Sequence, residues 1–216
     1  MRVASLMNVL GRGWLLAERA LQVFHSTARE TRALKFNYPK GTFEAWAYMT
    51  CMETVSAILS QVSQVTFEDM TSSLLLIRAS LWEYGLKKLY KLGEICQLVP
   101  TSNAPDENQI NRITSGITQQ SAGGDSEDQG RLLVATLMSK QQFTSKYLEL
   151  GEMVIGAFKH AGRKRTACSV GLDMAKFHVE LGQIEEAERL LSDMCSLYSP
   201  ENWTIFSANT ISLLAE

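Results

Sequence analysis

The stretch FHVELGQIEEAERLLSDM, Phe177–Met194, contains two amphipathic segments that are separated by a very short break. The first segment ends at Leu181, Gly182 and Gln183 follow, and the second segment begins at Ile184. Glycine accepts the positive φ that commonly ends a helix, and the two glutamates after Ile184 suit a first helical turn because its dipole attracts anions. The stretch therefore predicts two helices that are joined by a tight turn.

The two predicted helices have small residues where they would meet. With Gly182 in the turn, Ala175 and Ala187 fall at positions where a tetratricopeptide-type helix pair needs small residues, and Leu191 falls at its large buried position. One such pair covers only one face of its neighbour, so another pair is needed to complete the core. The stretch thus predicts one unit of a stacked helical array.

Helical periodicity extends over most of the remaining chain. The four prolines fall between apolar-periodic segments, and no alternating apolar pattern is bounded by hairpin turn signals. The helices predicted from periodicity are 2–34, 42–62, 68–99, 133–160, 165–181 and 184–198, with one more beginning near Asn202. The predicted fold class is all-α, an α-solenoid of antiparallel helix pairs that is tetratricopeptide-like in the C-terminal half.

Two glycines lie inside the predicted helix 68–99. Gly85 and Gly93 each cost about 1 kcal/mol relative to alanine in an exposed helix. We expect a neighbouring helix to approach closely at these positions, which would compensate for the cost.

The composition of the chain changes at Pro100. Residues 100–131 are rich in Ser, Gln, Asn, Gly and Asp and contain no aromatic residue. Such a segment buries too little apolar surface to offset its ordering entropy. We therefore predict three regions: a helical hairpin region over 1–99, a flexible linker over 100–131 and tetratricopeptide-like helical repeats over 132–216.

Bulk properties exclude several classes of protein. A net charge of -2 gives no general attraction to nucleic acid or to anionic membranes. No apolar run reaches the ~18 residues of a spanning helix, and the N-terminus lacks the cleavage pattern of a signal peptide. Four scattered cysteines without CxxC spacing predict free, buried thiols in a reducing compartment.

No catalytic, cofactor-binding or metal-binding site is predicted. His25, His160 and His178 lie in different predicted helices and form neither HxxxH nor HExxH. Cys168 follows His160 by eight residues, so a thiolate–imidazole pair is conceivable there, although nothing else indicates acyl transfer.

Charged and methionine-rich clusters have simpler interpretations. The turn at 163–165, Arg-Lys-Arg, could attract a phosphate at a helix start, although three basic residues in a turn are more often solvated. The acids at 185, 186 and 188 spread around a helix and predict a solvated face. Met49, Met52 and Met70 are typical of adaptable core.

Several segments resemble one family in order along the chain. They are PKGTFEAWAYMTCMETVSAI, LWEYGLKKLYKLGEICQLV, DENQINRITSGI, KYLELGEMVIGAFKHAGRKRTACSVGLDMAKFHVELGQIEEAERLL and ENW. From about Gly41 onward, the chain resembles the family of subunit 10 of the transport protein particle (TRAPP) complex. The residues that resemble the family most are Trp46, the part of the predicted helix from Leu81 to Val99, and the repeats through Trp203.

The resemblance implies a middle-region fragment of a larger TRAPP II-specific subunit. It implies a non-catalytic scaffold in a complex that tethers vesicles at the Golgi and promotes nucleotide exchange on Rab-family GTPases. The implied partners are other TRAPP subunits and, indirectly, a Rab GTPase, with peripheral membrane association through the complex and a cytoplasmic, Golgi-associated location. It transfers no active-site motif and no cofactor to a numbered residue.

Two alternatives stay open at the level of sequence. A freestanding tetratricopeptide-like adaptor would need clustered Lys, Arg and Asn to hold a peptide carboxylate, and only Lys176 and Arg189 lie near the best repeat. An enzyme would centre on Cys168 and His160.

Overall fold

A computed structural model describes residues 39–62, 72–120 and 126–198, together with scattered residues of 19–33 and residue 212. The helices are α1 Thr42–Val62, α2 Ser72–Ile95, α3 Glu107–Gln120, α4 Ser126–Leu137, α5 Lys140–His160, α6 Lys164–Glu180 and α7 Ile184–Tyr198. The described residues contain no β-strand, and the all-α prediction is confirmed. The helix predicted near Asn202 and most of the one predicted over 2–34 lie outside the described residues.

Five of these helices form a row in which each packs on the next. α1 packs on α2, α2 on α5, α5 on α6, and α6 on α7. Adjacent helices run antiparallel, as the α2–α5 seam illustrates. Gly93 faces Phe143, whereas Tyr90, one turn earlier in α2, contacts Tyr147, one turn later in α5. One continuous hydrophobic core extends from α1 to α6.

A glycine faces a long side chain in each of the four seams of this row. The pairs are Gly85 with Met52, Gly93 with Phe143, Gly151 with Met174 and Gly171 with Met194. A β-carbon on any of these glycines would lie closer than 3.0 Å to its partner, which real β-carbons essentially never do. The prediction that Gly85 and Gly93 mark close helix approach is confirmed.

Three helices end in the same type of turn. A residue with positive φ follows α2, α5 and α6: Gln97 (56°), Gly162 (71°) and Gly182 (74°). In each turn the next backbone N–H donates to the carbonyl five residues earlier, the Schellman pattern: Leu98 to Gly93, Arg163 to Phe158 and Gln183 to His178. The helix-ending role predicted for Gly182 is confirmed.

The segment predicted to be a linker contains a packed helix. Ile110, Ile113 and Ile117 recur at helical spacing along α3 and are buried in the core. The carboxylate of Asp106 accepts a hydrogen bond from the Gln109 backbone N–H at 3.1 Å and so caps the helix start. Residues 107–120 are therefore helical, with their isoleucine face buried, instead of forming a loop. The division of the chain at 99 and 132 stays a prediction.

The prediction of one long helix over 133–160 is wrong, because the structure has two helices there. α4 ends at Leu137, and Ser139 caps α5 by accepting a hydrogen bond from the Gln142 backbone N–H at 3.2 Å. The break turns α4 away from α5, so that α4 packs against α1 and α3 as well as α5.

Candidate binding groove

The cysteine and histidine of the conceivable enzyme site have very different exposures. Cys168 is 1% exposed and packs with Met194 in the interior, whereas His160 is exposed at the end of α5. A substrate cannot reach the Cys168 sulfur without unfolding the α6–α7 seam. Burial also raises the pKa of Cys51 to about 12 and that of Cys96 to about 11, so these two thiols are protonated at neutral pH and are poor nucleophiles.

The other two histidines make contacts that fit packing. The His25 ring packs edge-on against Tyr84 with the ring centroids 5.7 Å apart. His178 is buried, and its Nδ1 lies 2.7 Å from Oε1 of Gln183, which ties the end of α6 to the following turn.

Neither a metal site nor a membrane span emerges from the described ranges. No three His, Cys, Asp or Glu side chains of those residues are placed to hold a metal ion. The helices within the same ranges are too short or too polar to cross a bilayer.

The charged clusters singled out in the sequence lie on the surface. Residues 163–165 are exposed where the α5–α6 turn leads into α6, and Glu185, Glu186 and Glu188 are exposed on α7. Glu186 pairs with Arg189 at 2.8 Å. Met49 is buried and Met52 packs into the α1–α2 seam, as expected for adaptable core, whereas Met70 lies outside the described residues.

A groove of about 330 Å³ opens where α2, α5 and α6 meet. Its base is aromatic: the ring centroids of Tyr147 and Phe177 lie 4.5 Å apart, those of Tyr90 and Tyr147 5.6 Å, and those of Tyr90 and Phe177 6.4 Å. Tyr147 and Phe177 are buried, whereas Tyr90 is half-buried and presents part of its ring to solvent. Each helix therefore supplies one ring to a shared aromatic base.

Charged side chains form the rim of the groove. α2 contributes Glu83 and Lys87, whose carboxylate oxygen and ammonium nitrogen lie 2.5 Å apart. α6 contributes Asp173, Lys176 and Glu180, all of them exposed. Three carboxylates against two lysines leave an excess of negative charge at the rim.

Burial and the negative rim both raise the pKa of the tyrosine hydroxyls. Burial, with the charges of Asp173 and Glu180, raises the pKa of Tyr147 well above its ordinary value. Burial also raises the pKa of Tyr90, and the charges of Glu180, Glu94 and Asp173 raise it further. Neighbouring carboxylates disfavour the tyrosinate because they repel a second negative charge.

A second cavity of about 580 Å³ adjoins the groove. It is lined by the loop after α2, the start of α5 and the end of α6 with the residue after it, including Pro100, Thr144 and Leu181. Glu180 lines both cavities. Lys140, on the far wall, donates a hydrogen bond from Nζ to the backbone carbonyl of Ser102.

The groove is suited to binding. Aromatic faces and carboxylates recognise cations, but the lining includes neither a thiol or serine nucleophile nor an imidazole base. Sequence reasoning missed the groove, although both walls show a signal. Positions 83, 86, 87 and 90 and positions 173, 176, 177 and 180 each repeat the i, i+3, i+4, i+7 spacing of one helix face. The sequence alone does not reveal that these two faces lie together.

Comparison with known proteins connects the chain to one family. The family model described as TRAPPC10/Trs130, NTS-like domain, matches residues 126–216, which include α4 to α7. Trafficking protein particle complex subunit 10 of Mus musculus and that of Homo sapiens are each 27% identical to the chain over 220 residues. These alignments cover 100% of this chain and 17% of each relative.

A relative from a third animal has a similar identity to the chain. Trafficking protein particle complex subunit 10 of Drosophila melanogaster is 28% identical over 225 residues, with 93% of this chain and 19% of the relative covered. The chain thus spans less than a fifth of the length of these relatives. No solved structure matches the chain significantly. The resemblance inferred from the sequence is confirmed: the chain is similar over its whole length to trafficking protein particle complex subunit 10, and residues 126–216 match the TRAPPC10/Trs130, NTS-like domain model.

Proposed function

We propose that the chain is a non-catalytic scaffold segment of a TRAPP complex. Within TRAPP II, such a segment would hold other subunits in position while the complex tethers vesicles at the Golgi and promotes nucleotide exchange on a Rab-family GTPase. The observation that carries this proposal is the family match combined with a row of antiparallel helices around one continuous core. Scaffolds are commonly built this way because a row of helices presents long side surfaces to partners.

The row of helices supports an α-solenoid. Each seam buries one face of a helix and leaves the opposite face for the next helix, which is how stacked helix pairs extend a core. The buried Ala175, Ala187 and Leu191 support a tetratricopeptide-like pairing of α6 with α7. The repeat-like region is proposed to begin near the predicted boundary at 132, since the family match starts at residue 126.

The exposure of the candidate reactive groups supports a non-catalytic role. Cys168 is buried away from solvent, and the lining of the main groove contains no cysteine, serine or histidine. The adaptor alternative is not favoured, because its two basic residues lie in different surroundings. Lys176 lines the groove, whereas Arg189 lies on α7 and is paired with Glu186.

The family match also supports the proposed partners and location. The direct partners are other subunits of the complex, and contact with the Rab GTPase and the membrane is indirect, through those subunits. The chain then acts in the cytoplasm at the Golgi surface.

Binding of the purified chain to the small core TRAPP subunits tests this function. We expect the tagged chain to retain those subunits on beads and to co-elute with them in gel filtration. A helical repeat protein of similar length from another family, carrying the same tag, is the control. Failure of the chain to retain any TRAPP subunit above this control would overturn the proposal.

A nucleotide-exchange assay tests the non-catalytic part separately. The chain alone is expected to leave the release of fluorescent GDP from a Golgi Rab at its spontaneous rate, whereas the core subunits accelerate it. Acceleration by the chain alone would contradict a scaffold role.

A further inference from the structure

The groove across α2, α5 and α6 joins three features that together favour a cationic occupant. The half-buried aromatic residue Tyr90 lines the groove, Asp173 and Glu180 lie at the rim on α6, and Glu83 lies at the rim on α2. A cation over an aromatic ring is attracted to its negative face, and a carboxylate beside the ring adds a direct ionic partner.

The two rim walls differ in how much of their negative charge is compensated. Glu83 is already paired with Lys87 at 2.5 Å. On α6, none of the ion pairs resolved among the described residues includes Asp173 or Glu180, although Lys176 lies between them in sequence. Burial is the main cause of the raised pKa values of Tyr147 and Tyr90, and the negative charges of Asp173 and Glu180 on this wall add to it.

The shape of the depression favours a segment of extended chain. A volume of about 330 Å³ is at the lower end of the ~300–1,000 Å³ range of small-molecule pockets, and the exposed rim leaves the groove open. The second cavity, of about 580 Å³, shares Glu180 with the groove and is also lined by Leu181 and Pro100. An extended segment can place one long side chain in the groove and run on through the second cavity.

We propose that this groove binds an extended segment of a partner protein through an arginine side chain. The guanidinium stacks on the Tyr90 ring and donates hydrogen bonds to the carboxylates of Asp173 and Glu180. Arginine suits this site better than lysine because its planar fork both stacks on an aromatic ring and binds carboxylates through two parallel hydrogen bonds. The inference rests on the proposed function, because it names the chemistry by which the scaffold would hold one partner.

A peptide array probed with the purified 216-residue chain tests the occupant. The peptides are about 12 residues long, which spans about 40 Å when extended, with randomised flanks and Arg, Lys, Gln, Glu or Leu at the centre. We expect the bound set to be enriched in arginine, with lysine weaker and glutamine at background. Equal binding for all five central residues, or a preference for Glu or Leu, would overturn the proposal.

Variants then place the binding in the groove. The strongest arginine peptide is measured by calorimetry against Asp173→Asn/Glu180→Gln, a double variant that removes two charges from exposed positions and keeps the side-chain size. We expect its affinity to fall about tenfold or more, as for loss of charged hydrogen bonds. Tyr90→Leu should also weaken binding, and its melting temperature is checked in parallel. The matched control is Glu185→Gln/Glu188→Gln on the exposed face of α7, which should bind within about twofold of the unmodified chain.

The same double variant separates this proposal from the scaffold function. If it binds the arginine peptide as well as the unmodified chain does, the groove assignment is wrong even where TRAPP subunits still co-elute. If arginine binding is intact and depends on Asp173 and Glu180 but no TRAPP subunit is retained, the scaffold function is wrong and the groove assignment stands.

Discussion

Gly93 of α2 lies directly against the ring of Phe143 of α5, and three ring atoms would stand closer than 3.0 Å to a β-carbon at position 93. Phe143 is 0% exposed and its ring stacks at 11° to that of Tyr147, so it is held on both sides. The contact joins the two halves of the helix row, because α2 and α5 are far apart in sequence but adjacent in the row. The tight fit of these two residues therefore links the N-terminal and C-terminal helices in one core.

Gly93→Ala is expected to lower the free energy of unfolding by up to about 2 kcal/mol. Overpacking a well-filled core costs about 1–3 kcal/mol, and the better helix propensity of alanine offsets about 1 kcal/mol of that cost. Urea unfolding followed by circular dichroism measures the change. Gly171→Ala should cost less, because its partner is the flexible end of Met194 instead of a fixed ring.

Gly156→Ala on α5 is the matched control. No described atom lies within 4 Å of a β-carbon at this position. We therefore expect a gain of about 0.5–1 kcal/mol from helix propensity alone. A Gly93→Ala variant that is as stable as the Gly156→Ala variant would mean that the α2–α5 seam is looser than the structure describes.

Gln97→Gly is expected to stabilise the chain by about 0.5–1 kcal/mol. Gln97 has a φ of 56° in the turn after α2, a conformation that costs about 1–2 kcal/mol for a residue with a β-carbon and little for glycine. Thermal unfolding measures the gain. The opposite change, Gly182→Ala at φ 74° in the equivalent turn after α6, should cost about 1 kcal/mol. If both substitutions shift the melting temperature in the same direction, turn geometry does not control these positions.

The three equivalent turns illustrate what the sequence can and cannot reveal. Gly182 is visible as a helix end because glycine follows an apolar-periodic segment, and the α6–α7 pair follows from that residue. Gln97 forms the same turn without glycine, and its conformation is set by the packing of Leu98 and Val99 in the core. Tertiary contacts can override local preference in this way, so only the glycine turns could be predicted.

The missed helix α3 and the missed groove have separate physical reasons. The average composition of 100–131 is polar, and it concealed a stripe of three isoleucines that becomes stable only when α1 and α4 cover it. The groove depends on the juxtaposition of α2 with α6, which are separated by three helices in the chain. Each wall is recognisable as a helix face, but long-range pairing cannot be deduced from spacing within one helix.

Ile113→Ala tests whether α3 belongs to the core. Ile113 is buried and contacts Gly41 at the start of α1, so we expect a loss of about 2–4 kcal/mol from removing its buried side chain. Asn111→Ala on the exposed face of the same helix should change stability by less than about 0.5 kcal/mol. Hydrogen exchange gives a second measure, since backbone amides of 110–120 should be protected. Rapid exchange throughout α3 together with a neutral Ile113→Ala would restore the linker interpretation.

Cys195 is expected to react with thiol reagents well before the other three cysteines. It is half-buried, whereas Cys51, Cys96 and Cys168 are buried. Alkylation with iodoacetamide at neutral pH, followed by peptide mass spectrometry, should label Cys195 first and the others only after urea is added. Cys195→Ser should remove the fast phase. Fast labelling of Cys168 in the folded chain would instead revive the enzyme alternative.

Alkaline pH is expected to destabilise the fold because of two buried groups on α1. Burial, with a smaller contribution from the negative charge of Glu149, raises the pKa of Tyr48 to about 12. Burial also raises the pKa of Cys51 to about 12, although the positive charge of Lys88 partly opposes this shift. In the unfolded chain these groups release their protons near pH 10 and 8.5. The folded state therefore binds more protons between those values and about 12. The stability that these two groups contribute is constant below about pH 8 and falls as pH rises.

Urea midpoints measured between about pH 8 and pH 11 follow this loss directly, while absorbance of tyrosinate near 295 nm reports ionisation. Tyr48→Phe keeps the ring and removes the hydroxyl, so its midpoints should decline less steeply above about pH 10. Cys51→Ala should flatten the decline that begins near pH 8.5. Each substitution removes one proton-binding group in a different pH window, so the plots of urea midpoint against pH should differ between the two variants. If both variants and the unmodified chain lose stability with the same slope, neither buried group controls alkaline unfolding.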